Sequence, residues 1–126
     1  DLNGFKRIND VHGHAAGDEA LREIAARLRD SVRAADLVAR YAGDEFVILL
    51  DHVPDRAAVD HVRQQIDAVL REPLGSLGAG IGPTPCGGAI GSALYPDDGT
   101  DAETLIKHAD RAMYADKFSG GSDCRR

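Results

Sequence analysis

The stretch that most constrains this chain is Arg40-Tyr41-Ala42-Gly43-Asp44-Glu45-Phe46-Val47-Ile48-Leu49-Leu50. Leu37 to Tyr41 has the make-up of a strand, and Phe46 to Leu50 is an unbroken apolar, β-prone run. Ala42-Gly43-Asp44-Glu45 between them suits a tight hairpin turn, with Gly43 free to take a positive φ. A second strand this apolar is expected to be buried, so Asp44 and Glu45 stand as adjacent carboxylates at the tip of a rigid base. Oxygen ligands in that position suit a hard divalent cation. Taken alone, the same three residues also read as a solvated turn; the neighbouring stretches decide between the two.

At 126 residues the chain is expected to form one domain, and 43% hydrophobic with 29% charged residues is the make-up of a globular protein. A net charge of −6 argues against a nucleic acid duplex as partner, because duplex binding needs a basic patch against the phosphates. A small phosphorylated ligand held by a few cations or a metal stays open. Cys86 and Cys124 lack metal-ligand spacing and read as free thiols of a reducing, cytoplasmic compartment. No apolar run approaches a membrane span and nothing resembles a signal peptide, although a parent protein could be membrane-tethered. The start at Asp1-Leu2-Asn3, without an initiator Met, suggests a piece excised from a longer protein.

Along the chain, Gly4 to Asn9 is expected to form a short helical turn before the Gly13-His14 loop. Asp18 reads as the start of a firm helix with Leu21, Ile24, Ala25, Leu28 and Val32 inward and Arg22, Glu23, Arg27 and Arg29 outward. Asp55 is a candidate N-cap for a second helix, whose stripe is Val59, Val62, Ile66, Val69 and Leu70 and which Pro73 stops. Leu74 to Gly88 is Gly- and Pro-rich and expected to be the most mobile internal segment. Ala89 to Tyr95 reads as another strand, with Gly91 marking a bulge or a close backbone approach. After the Pro96-Asp97-Asp98-Gly99 turn, Asp101 caps a third helix carrying Leu105, Ile106, Ala109 and Met113 on one face, and from Ser119 on the tail is polar. The order predicts an α/β (α+β) fold in which helices pack on a sheet that contains an antiparallel hairpin. Three amphipathic helices exceed what so thin a sheet can cover, and a strand lying before Asp1 would supply the missing partner.

If Asp1 and Asp44 project from neighbouring strand ends, they can clamp one or two magnesium ions, with a triphosphate completing the coordination. The Gly4 and Phe5 amides at a helix start suit phosphate oxygens, and Lys6 adds a point charge there. Asn9 and Asp18 together carry the donors and acceptors to read a purine edge, and serve equally well as a turn residue and an N-cap.

Five groups of residues then fall in sequence: Asp1-Leu2-Asn3-Gly4-Phe5-Lys6-Arg7-Ile8-Asn9-Asp10; Gly13-His14 and Gly17-Asp18; Arg40 to Phe46; Tyr95-Pro96-Asp97-Asp98-Gly99; and Ala109 to Lys117. In that order, and over nearly the whole chain, they resemble the GGDEF-domain diguanylate cyclases. The resemblance implies a mixed sheet with flanking helices, shared with nucleotidyl cyclases and polymerase palms, whose first central strand is missing here. It implies condensation of two GTP into cyclic di-GMP with release of pyrophosphate, each domain of a homodimer holding one GTP. It makes Asp1, Asp44 and the Leu2 carbonyl ligands of magnesium (or manganese), and Asp44 the proton acceptor for the ribose 3′-hydroxyl. Lys6 and Lys117 would grip phosphates, and Asn9, His14 and Asp18 would contact the substrate, Asn9 and Asp18 at the guanine. Arg33-Ala34-Ala35-Asp36 resembles the family's RxxD inhibitory site for cyclic di-GMP; otherwise Arg33 is a helix-end cation and Asp36 a solvated connector.

Departures from the pattern are Ala42 in place of the first Gly, Asn3 in place of a frequent Asp, and Gly121 where an Arg is common. Ala42 is tolerable so long as its φ is negative. The resemblance assigns residues 1–119 to the domain and 120–126 to a polar tail. It leaves two alternatives to a working cyclase, a catalytically weak module binding cyclic di-GMP or GTP, and a truncated inactive remnant. Without its preceding strand Asp1 is poorly held, so the isolated piece is expected to be poorly active or inactive.

Overall fold

The computed structural model describes residues 1–75 and 87–119. Two helices open the chain, α1 (Phe5–His12) and α2 (His14–Asp30), and a hairpin of β1 (Leu37–Ala42) and β2 (Glu45–Leu49) follows. Helix α3 (Arg56–Arg71), an extended segment and helix α4 (Ala102–Ser119) complete it. Gly121, Cys86, Cys124, the 120–126 tail and most of the Leu74–Gly88 loop lie outside the described residues.

Gly13, at φ 87, breaks the chain between α1 and α2. The second helix therefore starts at His14 and not, as expected, at Asp18, which lies one turn inside it. Ala15 and Ala16 favour the helix, and Gly17 is tolerated there for packing reasons. A Cβ at Gly17 would overlap the Asn9 side-chain oxygen and lie 3.4 Å from Phe5 Cζ. Phe5 and Ile8 of α1 are buried with Ala20, Leu21, Ile24 and Leu28 of α2 in one cluster, joined by Ile66, Leu70 and Leu74. Arg27, expected outward, is turned onto the end of α3. It donates to the carbonyls of Val69 (3.1 Å), Glu72 (2.8 Å) and Pro73, matching the last carbonyls that a helix leaves unpaired.

The hairpin forms where expected, with a turn whose Gly43 has φ 46 and a register shift between Arg40 and Ala42. Ala42 keeps a negative φ, so its methyl is accommodated. Val38, Phe46 and Ile48 pack against the helical cluster. The opposite face pairs Leu37 with Leu49 and Ala39 with Val47. Here the expectation of a buried second strand fails, since Val47 is 37% and Leu49 63% exposed. Side chains alternate across a strand, and β1 pairs with one edge of β2 only.

Asp55 caps α3 as predicted, accepting from the Ala58 amide at 2.9 Å. Val59, Ile66 and Leu70 are its buried stripe. Ala89 to Tyr95 is not a strand: among the described residues its vicinity has a single isolated bridge, Leu2 to Gly88. Side chains take over ladder roles there, because no second strand lies alongside: the Ile90 amide donates to Asp116 at 3.0 Å and the Leu94 amide to Asp98 at 2.8 Å. Arg56 of α3 grips Asp98 at 3.0 Å, fixing the turn after the segment. These contacts, the Leu94 amide first and Arg56 after it, hold the Asp98 carboxyl below its ordinary value. Gly91 is a close approach, as expected: a Cβ there would overlap Ala109 O and Met113 N of α4. Asp101 caps α4 through the Thr104 amide at 2.7 Å.

Candidate active site

Residues 1 to 3 lie between the hairpin tip and the extended segment. The Asp1 nitrogen donates to the Ala89 carbonyl at 3.2 Å and the Ala89 amide returns to the Asp1 carbonyl at 2.9 Å, the reciprocal bonding of an antiparallel pair. On the other side the Leu2 amide donates to the Asp44 carbonyl at 3.1 Å. The backbone of Asp1-Leu2 is thereby fixed beside the turn that carries Asp44. Burial holds the Asp1 amino group below its ordinary value, while the negative charges of Asp44 and Glu45 reach it and push the other way. The Asp1 side chain is only 14% exposed, and Lys117 from the last turn of α4 pairs with it at 3.0 Å.

Asp1, Leu2 and Asp44 meet here through their backbones, and the oxygens they carry, two carboxylates and a carbonyl, are hard donors of the kind that suit magnesium. Among the described residues no group of three or more His, Cys, Asp or Glu side chains is assembled.

Lys6 is exposed on α1, whose start at Phe5 has Gly4 in a left-handed conformation and no side-chain cap. The Arg7 and Ile8 amides both donate to the Gly4 carbonyl, at 3.1 and 3.4 Å, and the Phe5 and Lys6 amides precede the first intrahelical acceptor. Asn9 reaches α2 at Gly17, next to Asp18, so Asn9 and Asp18 share one junction. His14 and Asp18 are exposed and one turn apart on α2. His12, His52, His61 and His108 join no common site; His52 pairs with Asp51 at 2.9 Å and His108 with Asp98 at 3.5 Å.

Arg33 and Asp36 bind each other. The Arg33 side chain meets Asp36 at 3.2 and 3.3 Å, and the Asp36 carboxylate also accepts the amides of Arg33 and Asp51, both at 2.9 Å. Asp36 is thus no solvated connector, its side chain being 2% exposed against 61% for Arg33. Hydrogen bonds from the Arg33 side chain, then from the Asp51 amide, hold its carboxyl at about 2.

Residues 1–123 match the family described as diguanylate cyclase, GGDEF domain. The chain belongs to the GGDEF domain family. It is 38% identical over 126 residues to the cyclic di-GMP phosphodiesterase NbdA of Pseudomonas aeruginosa, covering 99% of this chain and 16% of that protein. Diguanylate cyclase TpbB of the same species is 40% identical over 117 residues, covering 93% and 26%. The chain thus spans about a quarter or less of these relatives. The crystal structure of the TpbB GGDEF domain superposes with a TM-score of 0.82 at 40% identity, over 94% of this chain and 72% of that one. A second solved structure, of a microbial GGDEF domain with cyclic di-GMP, is 30% identical with a TM-score of 0.68, covering 95% and 68%.

The GGDEF fold accounts for the combination of helices with a two-stranded antiparallel hairpin. Two residues read in the sequence only as part of the family pattern have positioning roles: Gly17, which seats Asn9, and Asp116, which holds the segment beside Asp1. A Gly inside a helical run is a readable sign of close packing; an Asp before a Lys carries no such sign.

Proposed function

We propose that this GGDEF domain is the GTP-holding half of a diguanylate cyclase, two copies of which condense two GTP into cyclic di-GMP. The observation that carries the reading is the bond from the Leu2 amide to the Asp44 carbonyl, which sets the two candidate acids on adjoining backbones. Asp1, Asp44 and the Leu2 carbonyl would hold magnesium or manganese. Bound there, the cation supplies charge neutralisation of the triphosphate. Asp44 accepts the proton of the ribose 3′-hydroxyl, whose oxygen bonds to the partner nucleotide's α-phosphorus as the bond to the β-phosphate oxygen breaks and pyrophosphate leaves.

Lys6 and Lys117 offset charge on the phosphates, alongside the Gly4 and Phe5 amides. Asn9 and Asp18, at the α1–α2 junction, read the guanine edge, with His14 a turn away. Arg33 takes cyclic di-GMP as an inhibitor. Asp36 is already engaged, so this site works through a freed Arg33 fork unless the Asp51 contact opens. A second reading, a regulatory nucleotide-binding module, is favoured by the likeness to NbdA, which is named as a phosphodiesterase and not as a cyclase.

The chain is incubated with GTP and magnesium, product is separated by chromatography, and GTP binding is titrated calorimetrically. Loss of GTP affinity in Asp44→Ala and Asn9→Ala is expected, with turnover low even in the parent chain. Equal affinity in all three removes the site, and undiminished product from Asp44→Ala removes the catalytic role. Equal binding of cyclic di-GMP by wild type and Arg33→Ala removes the product site. GTP binding without product in any form of the domain selects the regulatory reading.

A further inference from the structure

Among the described residues, helix α4 has no close backbone approach to another helix or strand; it rests on the segment that follows Gly88. There Gly91 comes up against Ala109 and Met113. Asp116 lies one turn past Met113 on the same face, and its carboxylate accepts the Ile90 amide at 3.0 Å. The last turn, which carries Lys117, has little apolar packing to hold it down. Tyr114 is 63% and Phe118 68% exposed, and the two rings meet edge to face, their centroids 4.7 Å apart. A helix end of this kind frays readily. The bond from Ile90 to Asp116 is therefore well placed to decide where Lys117 points.

Two consecutive amides of the segment serve the two partners of one ion pair. The Ala89 amide donates to the Asp1 carbonyl at 2.9 Å, and the Ile90 amide donates to Asp116. The Asp1 carboxylate meets the Lys117 ammonium at 3.0 Å. Because Asp116 and Lys117 are neighbours in the chain, these contacts close a circuit that runs Asp1, Ala89, Ile90, Asp116, Lys117 and back to Asp1. Opened at Asp116, the circuit releases the lysine, while Asp1 keeps its bond to Ala89 and Leu2 its bond to Asp44. By charge alone, a carboxylate next to Lys117 disfavours a polyphosphate. Asp116 can help such a ligand only through the bond it accepts.

We propose that Asp116 is a positioning residue for phosphate binding: by accepting the Ile90 amide it fixes the last turn of α4 and aims the Lys117 ammonium at the site beside Asp1. The proposal rests on the GTP reading above and assigns a residue that the reading leaves without a part in it. Groups that orient a ligand-binding side chain commonly change affinity by about tenfold or more when removed.

The test is a calorimetric titration of GTP, in excess magnesium at fixed ionic strength, into the 126-residue chain and four variants. Asp116→Ala is expected to weaken GTP about tenfold, although it removes a negative charge and charge alone predicts tighter binding. Asp116→Asn keeps an oxygen that can accept the Ile90 amide, and its affinity is expected to stay within about twofold of the wild type or to improve. Lys117→Met is expected to weaken GTP, and Asp116→Ala combined with Lys117→Met to be no weaker than Lys117→Met alone, since the aspartate acts through the lysine. Equal affinity in wild type and Asp116→Ala overturns the proposal and leaves the GTP reading standing. An Asp116→Asn variant as weak as Asp116→Ala overturns it, because charge and not the bond is then what matters. Losses that multiply in the double variant overturn it too. Should Asp116→Ala not fold by circular dichroism, Asp116→Leu, of similar shape and also without an acceptor, takes its place; loss of the fold in both overturns the proposal, since holding the whole chain is not aiming one lysine. No GTP binding by the wild type overturns the GTP reading and this role with it.

Discussion

The molecule has a tightly packed half and a more exposed one. Where α2 crosses α1 and α3, Ala20 is 0%, Ile24 2% and Leu28 3% exposed, and the helix ends are matched by Arg27. Around the apolar cavity lined by β2 and α4, large apolar side chains stand at 37% to 65% exposure. Composition does not separate the two halves; the number of walls around each side chain does. An amphipathic helix needs one apolar surface opposite it, whereas a strand at the middle of a sheet needs a neighbour on each edge and a layer on each face. The candidate site lies on the boundary, with Asn9 and Asp18 on the packed side and Asp1, Asp44 and Lys117 on the open one.

Truncating the packed side is expected to have the largest effect. Ile24→Ala should cost about 2–5 kcal/mol, since its surroundings are too tightly held to collapse, and urea denaturation measures it. A cost below about 1 kcal/mol would mean that the two halves do not differ. On the open side the largest response is expected from Gly91→Ala, whose methyl meets the α4 backbone and not a movable side-chain end. Overpacking of this kind costs roughly 1–3 kcal/mol. It should also push α4 away and loosen the pair between Lys117 and Asp1, seen as faster amide exchange in the last turns of α4.

The packed half was largely legible in the sequence. Leu21, Ile24 and Leu28 recur at the helical period, Asp55 and Asp101 announce their helices, and Gly43 marks the turn. Helix α2 starts one turn earlier than the expected Asp18, and the bare Cα of Gly17 inside that turn is what lets Asn9 reach across. The open half was harder because a β-prone run specifies a face and not a partner. Ile90 and Leu94 look like strand residues, yet their amides go to Asp116 and Asp98. The juxtaposition of Asp1 and Asp44 was raised conditionally from the chain's own residues before the resemblance gave them roles, and the structure adds a backbone bond from the Leu2 amide to the Asp44 carbonyl. The mutual pairing of Arg33 and Asp36 has no periodic sign, since two charges three residues apart read equally as a ligand fork or a staple.

A smaller effect, tied to pH, is expected from that staple. The folded Asp36 carboxyl titrates at about 2, below the ordinary value near 3.9. The ionised form is therefore favoured by folding, and its stabilisation is complete above about pH 5 and is lost as pH falls towards 2. Asp36→Asn removes it at every pH. The melting temperatures of the two chains should differ by a few degrees at pH 6 and converge near pH 2; a gap that widens in acid would contradict the assignment.

The smallest effect is expected at Leu49, and it bears most directly on the contrast between the halves. Leu49→Ser removes a large apolar side chain that is 63% exposed and faces Leu37, itself 58% exposed. With so little area withdrawn from water, the change should stay within about 0.5 kcal/mol. A Leu49→Ser cost above about 1 kcal/mol would mean that this face is already covered and that the two halves do not differ in packing.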